Sequence, residues 1–131
     1  MTDIYTDGSC LKNPGGPGGW AFCVNLNSKL FIVSGSDKCT TNNRMELKAV
    51  IECLKFVNDK SLIIHTDSRY VINCASGKFN INANKDLWNE YKIACKDKHI
   101  KWIWVKGHSN DYYNDLVDKY AYNEAKNISK K

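Results

Sequence analysis

The chain has 131 residues, of which 43% are hydrophobic and 25% charged, and its net charge is +5. That length fits a single compact domain, residues 1–131, whose core needs no disulfide or metal staple. Its longest uncharged apolar runs, such as Leu62-Ile63-Ile64, fall far short of a membrane span, and Met1-Thr2-Asp3-Ile4 lacks the basic and apolar regions of a signal peptide, so membrane, secreted and disordered classes are set aside and a cytoplasmic monomer is expected.

In chain order, Ile4-Tyr5-Thr6 reads as a strand ending at Asp7-Gly8-Ser9, followed by a tight connection through Pro14 to Gly19. Trp20 to Leu26 and Leu30 to Ser34 read as two further strands joined by hairpin chemistry in Asn25-Leu26-Asn27-Ser28. Asn42 to Val57 carries helical periodicity. Leu62-Ile63-Ile64-His65 shows no alternation, the pattern of a strand buried on both faces. Arg69 to Ala75 and Asp86 to Cys95 read as helices, Ile100 to Val105 as a strand, and Asp115 to Asn127 as the closing helix. Three antiparallel strands followed by strands alternating with helices make an α/β fold, a mixed sheet with helices packed on it.

The basic residues are 17 Lys and two Arg, Arg44 and Arg69. Lys meets phosphate as a point charge, whereas Arg is the usual reader of guanine edges, so a nucleic-acid partner would be held by its backbone with little base readout. Skewed codon usage accounts for the same excess. The six cysteines (10, 23, 39, 53, 74 and 95) include no C-x-x-C pair and no zinc-finger spacing to a histidine. They read as reduced thiols serving as small apolar residues, with no structural disulfide.

Four carboxylates stand where carboxylates are costly. Glu46 falls in the middle of the apolar stripe of its helix, among Ala49, Val50, Cys53, Leu54 and Val57, while Arg44, Lys48, Glu52 and Lys55 take the opposite side. Asp7 and Asp67 each end an apolar strand, the place where ligands bind in open sheets with helices, although an Asp there also forms turns and caps helices. Asp118 lies one helical turn after Asn114, beside a stripe of Val117, Tyr120, Ala121 and Ala125. Clustered carboxylates repel one another unless protonated or neutralised by cations, and hard oxygen ligands suit two Mg²⁺ ions, with Mn²⁺ as a substitute. Such ions activate water against a phosphodiester, so the pattern points to metal-assisted hydrolysis of nucleic acid. His108, between the last strand and the last helix, reads equally as a proton relay to a leaving 3′ oxygen or as an incidental surface histidine.

Read together and in order, Tyr5-Thr6-Asp7-Gly8-Ser9-Cys10, Asn13-Pro14-Gly15, Thr40 to Leu47, Thr66-Asp67-Ser68, Asp86-Leu87-Trp88, Lys101 to His108 and Asn114 to Ala121 resemble the type 1 ribonuclease H family from about Asp3 to Ala125. The resemblance implies a five-stranded mixed sheet flanked by helices and hydrolysis of the RNA strand of RNA–DNA hybrids, leaving 5′-phosphate and 3′-hydroxyl ends. It matches Asp7, Glu46, Asp67 and Asp118 to the family's metal-binding catalytic carboxylates and His108 to its loop histidine. It matches Asn13, Asn42 and Asn43 to residues set against the RNA strand, and Thr41 to a threonine that holds a DNA-strand phosphate. An amide both donates to and accepts from a 2′-hydroxyl, the group that distinguishes RNA from DNA, though Asn42 and Asn43 would serve equally as helix caps.

The chain also departs from the family pattern. Residues Ser76 to Asn84 replace the basic, Trp-rich insertion of some relatives, which implies weaker hybrid binding and more dependence on Mn²⁺ or a partner. Arg69, a candidate nucleic-acid contact, stands where many relatives carry Gln, and Cys39 where eukaryotic relatives often carry Arg. No separate hybrid-binding domain is expected before Met1 or after Lys131. Two other functions share this architecture: a silent hybrid-binding module, which should have lost a carboxylate, and an integrase-like or junction nuclease, against which Asn42-Asn43 and Gly107-His108 argue.

Overall fold

The computed structural model describes residues 1–106 and 111–131. Its elements are β1 (Thr2–Cys10), β2 (Gly18–Leu26), β3 (Lys29–Asp37), α1 (Asn42–Phe56), β4 (Ser61–Thr66), α2 (Arg69–Ala75), α3 (Lys85–Ala94), β5 (His99–Trp104) and α4 (Tyr112–Ser129). The strands form one mixed sheet in the order β3-β2-β1-β4-β5. β1 to β3 pair antiparallel, while β4 pairs parallel with both β1 and β5. The five-stranded mixed sheet flanked by helices is therefore as expected.

Local chemistry sets the joints. Asn27 and Ser28 both adopt positive φ, 53° and 65°, the two-residue hairpin turn whose twist matches its strands. α1 contains neither Gly nor Pro, and Thr41 starts it by accepting a hydrogen bond from Arg44 N at 3.1 Å. The Gly-rich connection is stitched to the entrance of α1, with Gly15 N donating to Thr40 O and Thr40 N to Gly16 O, at 2.8 and 2.9 Å.

The main core lies between the sheet and α1, α2 and α3, built from residues such as Ile4, Phe22, Leu47, Ile51, Leu62, Ile64 and Trp88. On the other face α4 covers β1, β2 and β3 through a smaller cluster of Ala21, Cys23, Val117 and Ala121. Small residues allow that close approach: a Cβ on Gly19 would lie 2.9 Å from Ala125 N. All six cysteines are free; Cys23, Cys53 and Cys74 are buried as small apolar side chains, and burial pushes the Cys23 thiol up to about 12.

Four sequence expectations are corrected. β1 does not end before Asp7: it continues to Cys10, because Asp7, Gly8 and Ser9 pair with Ala21, Trp20 and Gly19 of β2. β4 is not uniformly buried but alternates, with Leu62 and Ile64 inside and Ile63 and His65 half-buried, since α4 packs over β1 to β3. α4 starts at Tyr112, where Asp111 caps it by accepting from Asn114 N at 3.0 Å. Tyr120 is exposed rather than part of the apolar stripe of α4.

Candidate active site

Asp7 sits in mid-strand on β1, the central strand, with only 3% of its surface exposed. Glu46 reaches it from the first turns of α1, where the apolar stripe carries it inward, and is 8% exposed. Gly8 lets the two elements touch: a Cβ there would fall 2.9 Å from Glu46 Cα and closer still to Glu46 N. Asp67 follows β4 in a short turn locked at both ends. Ser68 N donates to Thr66 Oγ1 and Val71 N to Ser68 Oγ, each at 3.1 Å, while Trp104 Nε1 donates to the Asp67 carbonyl at 3.1 Å.

This arrangement brings one carboxylate oxygen from each of Asp7, Glu46 and Asp67 within 4.8 Å of one another. Asp118, half-buried on α4, lines the same cleft of about 520 Å³ and adds its charge against Asp7. Burial is the main cause that pushes the Asp7 carboxyl well above the ordinary carboxylate range, and the charges of Asp67 and Asp118 add to it. Burial likewise raises Glu46, with the charge of Asp7 second. Glu46 Oε1 is buried without a hydrogen-bond partner. An acceptor left bare in a knot of hard anionic oxygens suits a divalent cation, which would both satisfy it and neutralise the cluster.

Asn42 and Asn43, from the start of α1, line the cleft, as do Arg69 and Tyr70 from the start of α2. Neither asparagine caps α1, because Thr41 does. Thr41 and Asn13 do not line the cleft but support its wall: Asn13 Oδ1 accepts from Asn42 N at 3.1 Å. His108 lies outside the described residues.

Against this geometry stand the comparisons with known proteins. The family model for RNase H matches residues 1–126. The chain belongs to the ribonuclease H family. Curated ribonucleases H from Thermoanaerobacter sp. (strain X514) and Treponema denticola are 40% and 41% identical to it, covering 96% and 91% of this chain and 90% and 93% of their own. Among solved structures, LC9-RNase H1, described as a type 1 RNase H with the type 2 active-site motif, aligns with a TM-score of 0.80 at 28% identity over 97% of this chain and 72% of its own. The N-terminal RNase H domain of rv2228c from Mycobacterium tuberculosis shares the fold, with a TM-score of 0.85 at 19% identity over 99% and 98% of the two chains. Family and relatives make this a hydrolase with ribonuclease H activity, and divalent-metal dependence, a property of ribonucleases H, fits the Asp7-Glu46-Asp67 cluster. No described helix is long and apolar enough to cross a membrane.

Three features of the site were not read from the sequence. Trp104 braces the Asp67 carbonyl from 37 residues away, a contact with no local signature. Tyr70 Oη accepts from both Asn84 Nδ2 and Trp88 Nε1, at 3.0 and 2.9 Å, tying α2 to the start of α3. His65 on β4 stacks on Tyr5 with ring centroids 4.1 Å apart and pairs with Asp3 at 2.8 Å.

Proposed function

We propose that these residues form one catalytic domain, active as a monomer, that hydrolyses the RNA strand of RNA–DNA hybrids without sequence preference, leaving 5′-phosphate and 3′-hydroxyl ends. The observation that carries this reading is the convergence of Asp7, Glu46 and Asp67 in a cleft that Asn42 and Asn43 also line. A solved relative of the same fold, LC11-RNase H1, is described in complex with an RNA/DNA hybrid; its TM-score is 0.77 at 19% identity, over 94% of this chain and 98% of its own.

Asp7, Glu46 and Asp67, with Asp118 at the rim, are the residues that would hold two Mg²⁺ ions, or Mn²⁺ in their place. Bound there, the ions neutralise the carboxylates and supply Lewis-acid activation of water and of the leaving oxygen. The protein contributes position. Glu46 and Asp7 are fixed by the contact of α1 with β1, and Asp67 by its braced turn. Asn42 and Asn43 offer amides that pair with 2′-hydroxyls, selecting the RNA strand. Asn13 and Thr41 shape the neighbouring wall, Arg69 meets backbone phosphate, and His108 relays a proton to the leaving 3′ oxygen.

The test is cleavage of an end-labelled RNA–DNA hybrid beside RNA–RNA and DNA–DNA duplexes, with Mg²⁺, with Mn²⁺ and with chelator. Metal-dependent cutting confined to the RNA of the hybrid is expected. Binding without cutting would make this a silent hybrid-binding module, and cleavage of DNA would overturn the role of the asparagines.

A further inference from the structure

Among the described residues, the cleft is lined by four carboxylates and one cation, Arg69. The other arginine, Arg44, is committed elsewhere, holding Asp86 through two bonds of 2.9 and 2.7 Å. Arg69 forms no ion pair among the described residues; its guanidinium lies over the ring of Trp104, 4.4 Å from the centroid. Trp104 cannot easily drift, because its indole N–H is bonded to the Asp67 carbonyl. The stack therefore holds a charge in place that would otherwise swing on a long side chain, and less motion is lost when an anion binds.

A second hollow of about 250 Å³ opens beside the cleft, and Arg69 belongs to both. Its other walls are Ile72, Asn73, Lys78 and Trp104, with no carboxylate among them. Lys78 arrives there because Gly77, at φ 81°, turns the chain after α2 and Phe79 N bonds back to Asn73 O at 3.0 Å. Two cations around one braced indole, next to a cleft built for a phosphodiester, fit an anion. Arg69 covers a face of that indole, so charge rather than base stacking is what this hollow offers.

We infer that Arg69, set on Trp104, and Lys78 across the same hollow form a phosphate subsite that takes a backbone phosphate of the bound hybrid beyond the scissile one. The inference rests on the proposed function and deepens it. The subsite draws the polyanion toward a cleft whose own carboxylates repel it, and it adds affinity without reading sequence.

The experiment is steady-state cleavage of a labelled hybrid across a salt series for wild type, Arg69→Gln, Lys78→Gln and the double variant. Lys96→Gln serves as control, an exposed charge before β5 at the opposite end of that strand from Trp104. Thermal melts establish that each variant is folded. Each subsite variant is expected to raise KM about threefold to tenfold at low salt and to flatten the salt dependence of log kcat/KM by up to about 0.9 per lost phosphate contact. Lys96→Gln should leave the slope close to wild type. Slopes that change equally in Lys78→Gln and Lys96→Gln, or in neither, overturn the subsite while the proposed function stands. A wild-type chain that leaves the hybrid uncut overturns both.

Discussion

Gly8 of β1 lies directly against the backbone of Glu46 in α1, with no side chain between strand and helix. That contact sets how far Glu46 reaches toward Asp7, one residue before the glycine. A methyl group at position 8 has no space, because the atoms it would meet are helix backbone rather than a flexible side-chain tip. Gly8→Ala should therefore push α1 outward. The expected cost is about 1–3 kcal/mol of stability from overpacking, read as a lower Tm. Activity should fall further than stability, by about a hundredfold, since a displacement near 1 Å at a reacting centre has that effect. Normal turnover in a folded Gly8→Ala protein would show that the contact does not set the site.

Asp7 and Glu46 hold their protons more tightly in the folded chain than in the unfolded one, mainly because both are buried. Above the ordinary carboxylate range, and up to their raised folded values, the native state thus binds more protons than the unfolded state. Stability of the cation-free protein must then fall as pH rises through that window. In chelator, Tm is expected to be higher near about pH 5 than near about pH 7.5. Added Mg²⁺ or Mn²⁺ should raise Tm at the higher pH by satisfying the same carboxylates. Asp7→Asn should raise the cation-free Tm there and blunt the response to the ion. Calorimetric scans at two pH values, with and without the ion, check all three outcomes.

How much of this was legible depends on the range over which each signal acts. α1 was readable because its period, its apolar stripe and its lack of Gly and Pro are local, and Glu46 stood out as a carboxylate on that stripe. Asp7 reads in the sequence as one of the clustered carboxylates but at a strand end, whereas it lies in mid-strand. Asp-Gly-Ser is turn chemistry in isolation, and only the partner strand carries it on as a strand. The two-sided burial of β4 was misread because the reach of α4 across the sheet is a tertiary fact. The brace from Trp104 and the bonds to Tyr70 join residues far apart in the chain, so no periodicity or spacing announces them.

The four carboxylates should not contribute equally. Asp7, Glu46 and Asp67 each place an oxygen within one 4.8 Å group, whereas Asp118 stands outside that group on the cleft wall. Asp7→Asn, Glu46→Gln and Asp67→Asn are each expected to cut kcat by at least about a hundredfold at saturating Mg²⁺, with the fold intact by circular dichroism. Asp118→Asn should lose less and recover part of its activity at higher ion concentration. Wild-type turnover in any one pure variant would remove that residue from the mechanism.

Tyr70 tests whether the site's supports act through stability or through chemistry. Its hydroxyl accepts from Trp88 Nε1 and Asn84 Nδ2, and the Trp88 ring meets it edge-on at 6.0 Å. Trp88 is 1% exposed, so the loss of the acceptor strands its indole N–H away from water. Tyr70→Phe keeps the ring contact and removes only the oxygen, at an expected cost of about 1–3 kcal/mol in denaturant unfolding. Asn84, half-buried at φ 57° with its Oδ1 accepting from Arg44 Nη1 at 3.3 Å, loses the same partner in Tyr70→Phe, and Asn84→Gly keeps the left-handed backbone while removing its side-chain bonds. The energies of the two substitutions should fall short of additivity in the double variant, because both act on one hydroxyl. Below the melting range kcat should change little, since Tyr70 supports α2 and α3 rather than the carboxylates; a large loss of kcat in folded Tyr70→Phe would instead assign its hydroxyl to the substrate.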